Sequence, residues 1–327
     1  MIQRNRRFII DAQTYSRLHA DKATPHLTND LERDEPSIDE PDFFELLPPT
    51  VHGYDLYDHQ WRDLPVSHIE PVVWDKHAFD RLVVKPEIKD LLGAVVTSVK
   101  APEELFSNDA AQKEESLVLV FHGAPGTGKS FAAASIAETA RRPLYRISCS
   151  DIGTDVAAAE RYLKSILHIT TQWQCVVLLD DADVFLEARS RSDFQRNAMV
   201  SVFLRFLEQY NGILILTSNR VGTFDEAFRS RFQLSVHFPP LDTDARAALW
   251  RHSLQALNKY EVYLSDLDID VERFASRDLN GWEIKNVFKM AVQLAQSRRE
   301  GLCDHHFKIV MLAHGEFKEY MKIPTAG

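Results

Sequence analysis

The sequence predicts a doubly wound α/β domain, a parallel sheet covered by helices on both faces, followed by a small all-helical domain. Three observations predict it. Continuous apolar runs of strand length occur at 117–121 (LVLVF), 175–179 (CVVLL) and 213–216 (ILIL), the pattern of strands buried on both faces. These runs alternate with helical patterns at 131–140, 157–169 and 198–210, as repeated βαβ units require. After Phe238-Pro239-Pro240 the strand patterns stop, and 244–257, 283–298 and 304–320 all read as helices.

The elements fall into three stretches. Residues 1–70 open with a short basic segment and pass into an acidic connector. There Asp30, Glu32, Asp34, Glu35, Asp39, Glu40, Asp42 and Glu45 are interrupted by one base, Arg33, which favours an extended chain. A Pro- and aromatic-rich strap follows over 46–74, its Tyr54, Tyr57, Trp61 and Trp74 spaced too irregularly for one helix or one strand. Residues 71–240 hold the α/β core. It begins with an amphipathic helix at 86–100, where Ile88, Leu91, Leu92, Val95, Val96 and Val99 recur at three- and four-residue intervals. Residues 241–327 form the helical domain.

Composition narrows the function classes. With 327 residues, of which 45% are hydrophobic, the chain can bury a substantial core in two or three units. A net charge of -10 argues against a general polyanion binder, so nucleic acid is not indicated. No apolar stretch reaches the roughly 20 residues that a membrane crossing needs. Cys149, Cys175 and Cys303 make no disulfide framework, which suits a reducing compartment. Asp11 follows the basic start M-I-Q-R-N-R-R-F closely, so organelle targeting is not expected. The expected location is intracellular, in the cytoplasm or the nucleus.

Directly after the 117–121 run stands Gly123-Ala124-Pro125-Gly126-Thr127-Gly128-Lys129-Ser130, a complete G-x-x-x-x-G-K-S opening a helix. Glycines let successive N–H groups turn inward around phosphate oxygens, and the helix N-terminus adds partial positive charge. Lys129 is expected to reach the β- and γ-phosphates, and the Ser130 hydroxyl to ligate Mg²⁺. Such a loop needs a metal-holding acid at the end of a neighbouring strand. Asp180, closing V-V-L-L-D, supplies it. Asp181 follows where hydrolytic relatives usually carry Glu, and Asp183 reads as the cap of the next helix. The cofactors implied are ATP and Mg²⁺.

These residues resemble the AAA+ ATPase family of P-loop NTPases, and more closely its fungal-type branch, with a region of unknown function before the ATPase core and a helical lid after it. The resemblance rests on 72–92, the phosphate loop, L-L-D-D-A-D-V-F-L-E-A-R-S, 196–219, F-D-E-A-F-R-S-R-F and 279–286. It implies that Asn219 senses the γ-phosphate, and that Arg229 and Arg231 mark the arginine finger reaching a neighbouring subunit's nucleotide. It further implies ATP hydrolysis in a homo-oligomeric ring, a hexamer being one option, that remodels a macromolecular client, with protein the client class expected.

Three departures from the family pattern bear on activity. Asp181 is one methylene shorter than Glu. Asn280-Gly281-Trp282 stands where relatives tend to read N-G-R, so a cation is replaced by an aromatic. Ile152, in the loop 151–154 where threading machines present an aromatic to a central pore, is apolar but not aromatic. An alternative reading is therefore a nucleotide-gated scaffold with slow hydrolysis. A small-molecule kinase is disfavoured by Asn219 with Arg229 and Arg231. Cys303-Asp304-His305-His306 lacks tetrahedral zinc spacing, and Arg189, Arg191 and Arg196 read as solvated loop charges.

Overall fold

The computed structural model describes residues 6–19, 48–100, 116–186, 194–220, 224–257 and 269–322. The acidic connector, Arg189 and Arg191 lie outside these residues. The central sheet is five-stranded and parallel, built from β4 (Leu117–Gly123), β5 (Leu144–Ser148), β6 (Val176–Asp180), β7 (Ile213–Ser218) and β8 (Leu234–Phe238) in the order β5-β6-β7-β4-β8. Every neighbouring pair is parallel, so each connection must cross a face, and helices make the crossings.

Alternation along the strands splits the core in two. Val118, Val120, Val177, Leu179, Leu214 and Leu216 face the helices 156–172 and 194–209. Leu119, Phe121, Val176, Leu178, Ile213 and Ile215 face the helices 86–100 and 129–140. Both faces are apolar because both are covered. This is why the strands read as unbroken runs rather than alternating ones.

With the remaining elements numbered in chain order, the helices are α1 (Ala12–Leu18), α2 (Pro86–Lys100), α3 (Lys129–Ala140), α4 (Cys149–Ile152), α5 (Val156–Gln172), α6 (Asp183–Leu186), α7 (Phe194–Gln209), α8 (Glu226–Arg229), α9 (Thr243–Leu257), α10 (Val271–Ala275), α11 (Gly281–Arg298) and α12 (Asp304–Lys322). α9 to α12 gather around the fully buried Trp250, with Phe274, Ile284, Val287 and Phe307. The sequence marked three of these four helices. It missed α10, whose five residues are too few for a period to register. The protein has a P-loop NTPase α/β fold followed by a helical lid, and among the described residues no helix is long and apolar enough to cross a membrane.

Two sequence expectations change. Residues 46–74 are not a plain strap. β2 (Thr50–Asp55) and β3 (Gln60–Pro65) form an antiparallel hairpin, to which β1 (Phe8–Ile10) adds a third strand. The aromatic spacing looked irregular because the hairpin folds it in two, bringing Tyr54 opposite Trp61. This small sheet is tied to the core by Tyr54 and Tyr145, whose hydroxyls lie 2.9 Å apart, and by Trp173 Nε1 donating to Asp11 at 2.8 Å. Arg7 bonds Glu138 of α3 through both guanidinium nitrogens, at 2.5 and 3.0 Å. The second change concerns Ile152. It closes the four-residue α4 and is buried in the core, so it is a packing residue here and not one presented to a pore.

Candidate functional site

Loop 123–130 leaves β4 and enters α3. Its glycines at 126 and 128 adopt φ of 76° and 101°, the left-handed region that side chains resist. At Gly128 nothing would meet an added Cβ, so the demand there is conformational. At Gly126 it is also steric: a Cβ would sit 2.4 Å from Asn280 Oδ1. Gly128 is the N-cap of α3 and supplies no side-chain acceptor to its first-turn N–H groups. The result is a backbone cradle at a helix N-terminus, the arrangement that suits an anion.

Lys129 turns back into this cradle. It is 6% exposed, and Nζ donates to Gly123 O, Ala124 O and Asn219 Oδ1, each at 2.8 Å. All three ammonium hydrogens are thereby used. Burial pushes its pKa below the ordinary lysine value, and the carboxylates of Asp181, Asp180 and Asp183 oppose that shift.

Asp180 closes β6 beside α3. Its Oδ1 accepts from the hydroxyls of Ser130, at 2.8 Å, and Thr217, at 2.5 Å, while Oδ2 accepts from Arg146 Nη2. Burial works to raise its pKa, but the bonds from Thr217, Arg146 and Ser130 win and hold it below the usual aspartate value. A hydroxyl and a carboxylate side by side are hard oxygen donors, the chemistry that suits Mg²⁺. Sequence reasoning missed Thr217 and Arg146. Thr217 left a trace, the first polar residue after the apolar run of β7. Arg146, in mid-strand, left none.

Asp181 has φ of 55°, a left-handed backbone that Asp tolerates better than most residues. Its N–H donates to Thr217 Oγ1 at 3.0 Å, and its Oδ1 accepts from Asn219 Nδ2 at 2.7 Å. Asn219 thus bridges Lys129 and Asp181 with its two amide ends. Asp183 begins α6, but its carboxylate does not cap that helix as the sequence suggested. It accepts instead from Ser218 Oγ at 2.5 Å and from the backbone of Asn219 and Arg220 at 3.2 Å, holding the end of β7 in place.

The structure therefore brings Lys129, Ser130, Asp180, Asp181 and Asn219 together. Arg229 and Arg231 stand apart from them on the surface, Arg229 exposed at the end of α8 and Arg231 paired with Glu208 at 2.6 Å. Asn280 caps α11 in a reciprocal box with Glu283, and Gly281 N donates to Gly126 O at 2.8 Å. This bond seats the lid on the loop. Trp282, one residue on, is 65% exposed. Beside Thr127 lies a cavity of about 350 Å³, walled by Val83, Lys85, Pro239, Leu241 and Asp244 among others.

A glycine-rich loop after β4, an acid-bearing strand β6 separated from β4 only by β7, and a helical lid bonded to the loop are the parts of a P-loop NTPase fold. Residues 119–240 match the family described as ATPase family associated with various cellular activities (AAA), and this segment is an AAA ATPase domain. The chain is 25% identical over 233 residues to the ATP-dependent zinc metalloprotease FtsH of Lachnoclostridium phytofermentans, covering 67% of this chain and 39% of that protein. It is 26% identical over 227 residues to vacuolar protein sorting-associated protein 4 of Dictyostelium discoideum, covering 66% and 48%. It is 26% identical over 196 residues to ATPase family AAA domain-containing protein FIGL1 of Arabidopsis thaliana, covering 56% and 28%. The chain spans less than half the length of each of these relatives.

Replacing Lys129 by Ala removes a buried cation from the cradle. ATP affinity measured by calorimetry should fall by one to two decades, about 1.5–3 kcal/mol for one set of charge-assisted contacts. Unchanged binding would remove Lys129 from the site.

Proposed function

We propose that the chain binds ATP with Mg²⁺ and hydrolyses it to ADP and phosphate, at the subunit interfaces of a homo-oligomeric ring that remodels a macromolecular client. The observation that carries this reading is the hydrogen-bonded chain Lys129–Asn219–Asp181 standing beside the Ser130–Asp180 pair. An anion anchor, a metal-suited pair and a second carboxylate beside them are the parts that phosphoanhydride hydrolysis needs.

In this reading the N–H groups of 126–130 and Lys129 Nζ hold the β- and γ-phosphates, and Ser130 with Asp180 holds the metal. Bound ATP supplies the scissile bond, and Mg²⁺ neutralises charge on its oxygens. The cavity between 83–86 and 239–245 takes the base. Asp181 orients and deprotonates the attacking water, its carboxylate aimed by Asn219 Nδ2. Asn219 in turn reports the phosphate through its contact with Lys129. Arg229 or Arg231 completes the site of the adjoining subunit, and the lid, seated through Gly281, moves with the nucleotide. The same reading divides the chain into an N-terminal segment, acidic connector and strap (1–70), an ATPase core (71–240) and a lid (241–327), in the manner of the fungal-type branch.

A second reading, in which nucleotide chiefly stabilises assembly and turns over slowly, is favoured by two observations. The Asp181 carboxylate is short and rides on a left-handed backbone. The exposed Trp282 brings no charge to the phosphates.

Single-turnover hydrolysis at saturating ATP and Mg²⁺ separates the readings. Asp181→Asn keeps the shape but accepts no proton, so the rate should drop about a hundredfold or more. Equal rates for parent and variant at a measurable turnover would make Asp181 structural, and a parent with no turnover above the uncatalysed rate would favour the scaffold. The ring reading has its own test. Mixing Arg229→Ala/Arg231→Ala chains with Lys129→Ala chains should restore part of the turnover, because each supplies what the other lacks. Mixtures that co-assemble yet stay as inactive as either parent would refute a role in trans.

A further inference from the structure

The aspartate assigned to the metal is in contact with a fixed positive charge. Arg146 lies on β5, whose register sets Arg146 beside Leu178 and Ser148 beside Asp180. Arg146 therefore shares a face with Asp180 but sits two residues short of it, and its long side chain closes that gap to reach Oδ2. The Lys129 hydrogens all go to Gly123, Ala124 and Asn219, so the cation touching Asp180 is Arg146. Asp180, Asp181 and Asp183 bring three carboxylates to this end of the sheet. Lys129 and Arg146 bring positive charge to them.

We infer that Arg146 is an internal counter-ion of the metal acid, and that it raises the concentration of divalent metal at which the site loads. The inference rests on the reading of Asp180 as the metal acid. Three features support it. A guanidinium keeps its charge at any physiological pH, so its opposition to a metal ion at Asp180 does not depend on protonation. A divalent ion brought to Asp180 meets both a competitor for the carboxylate lone pairs and a like charge at close range. Finally, β5 is an edge strand, and the Arg146 side chain is 60% exposed against 14% for Asp180. It can swing into solvent without opening a cavity, so the pair is separable.

The rival role is orientation, in which Arg146 holds the Asp180 carboxylate in the pose the metal needs. The two roles predict opposite signs. Mn²⁺ binding to the full chain saturated with ADP, followed by electron paramagnetic resonance, reads the sign directly without recourse to turnover. Arg146→Gln should take up Mn²⁺ at about three- to tenfold lower free metal, the scale of a partly exposed ion pair. Arg146→Lys, which retains the charge, should stay near the parent. Raising the salt concentration should narrow the gap between parent and Arg146→Gln, because the competing charge is screened. An Arg146→Gln chain that needs as much metal as the parent, or more, overturns the inference. A parent that binds ADP and yet takes up Mn²⁺ no differently from Asp180→Asn refutes Asp180 as the metal acid. A parent that binds neither ADP nor Mn²⁺ overturns the nucleotide-site reading, and this inference with it.

Discussion

The placement of β7 between β4 and β6 is the constraint on which the rest of the site depends. Parallel pairing sends all three strands toward the same edge of the sheet, and ligands of open α/β sheets bind at that carboxyl edge, where the strand order switches. Because Phe121 pairs with Thr217 and Leu179 with Leu216, loop 123–130, Asp180 and the Thr217–Asn219 end come level with one another. The contacts Lys129–Asn219, Asn219–Asp181 and Thr217–Asp180 then span one strand spacing each, and Ser130 reaches Asp180 across the end of β7. A single-residue slip of β7 would turn Thr217 to the opposite face and separate Asp180 from its hydroxyl partner.

Charge is arranged around that edge so that no ionised group is buried alone. Unpaired buried charge is costly, and each member here has its compensation. Lys129 spends its hydrogens on two carbonyls and an amide, and Asp180 collects two hydroxyls and a guanidinium. Asp183 braces the backbone from which Asn219 projects. The lid joins this network by backbone rather than by charge, through Gly281 and Gly126. Small residues on both sides of the contact make that approach feasible, since a Cβ at Gly281 would lie 2.8 Å from Gly126 O.

The sequence disclosed those parts of the site that close an apolar run or fill a fixed spacing. Asp180 and Asn219 each end such a run, and the loop carries its glycines at set intervals, so local pattern sufficed for them. Contacts formed across strands were hidden. Arg146 and Asp180 are far apart in the chain and meet only through the pairing of β5 with β6. Asn280 stands in the lid motif 280–282, but its approach to Gly126 exists only once the lid folds back on the loop. The three-stranded N-terminal sheet was missed for a related reason: its short β1 is separated from the hairpin by the acidic connector, and its aromatics serve two strands at once. Ile152 looked like a loop residue because a helix of four residues carries no readable period.

The central claim is that the loop, the ends of β6 and β7, and the start of α11 act as one nucleotide site. Hydrogen exchange of the full chain, followed by mass spectrometry with and without ATP and Mg²⁺, tests it most directly. Nucleotide is expected to slow exchange together at 123–132, at 180–181 and 217–219, and at 280–284. Nucleotide binding that leaves these three regions unchanged, or that protects the chain elsewhere, would contradict it.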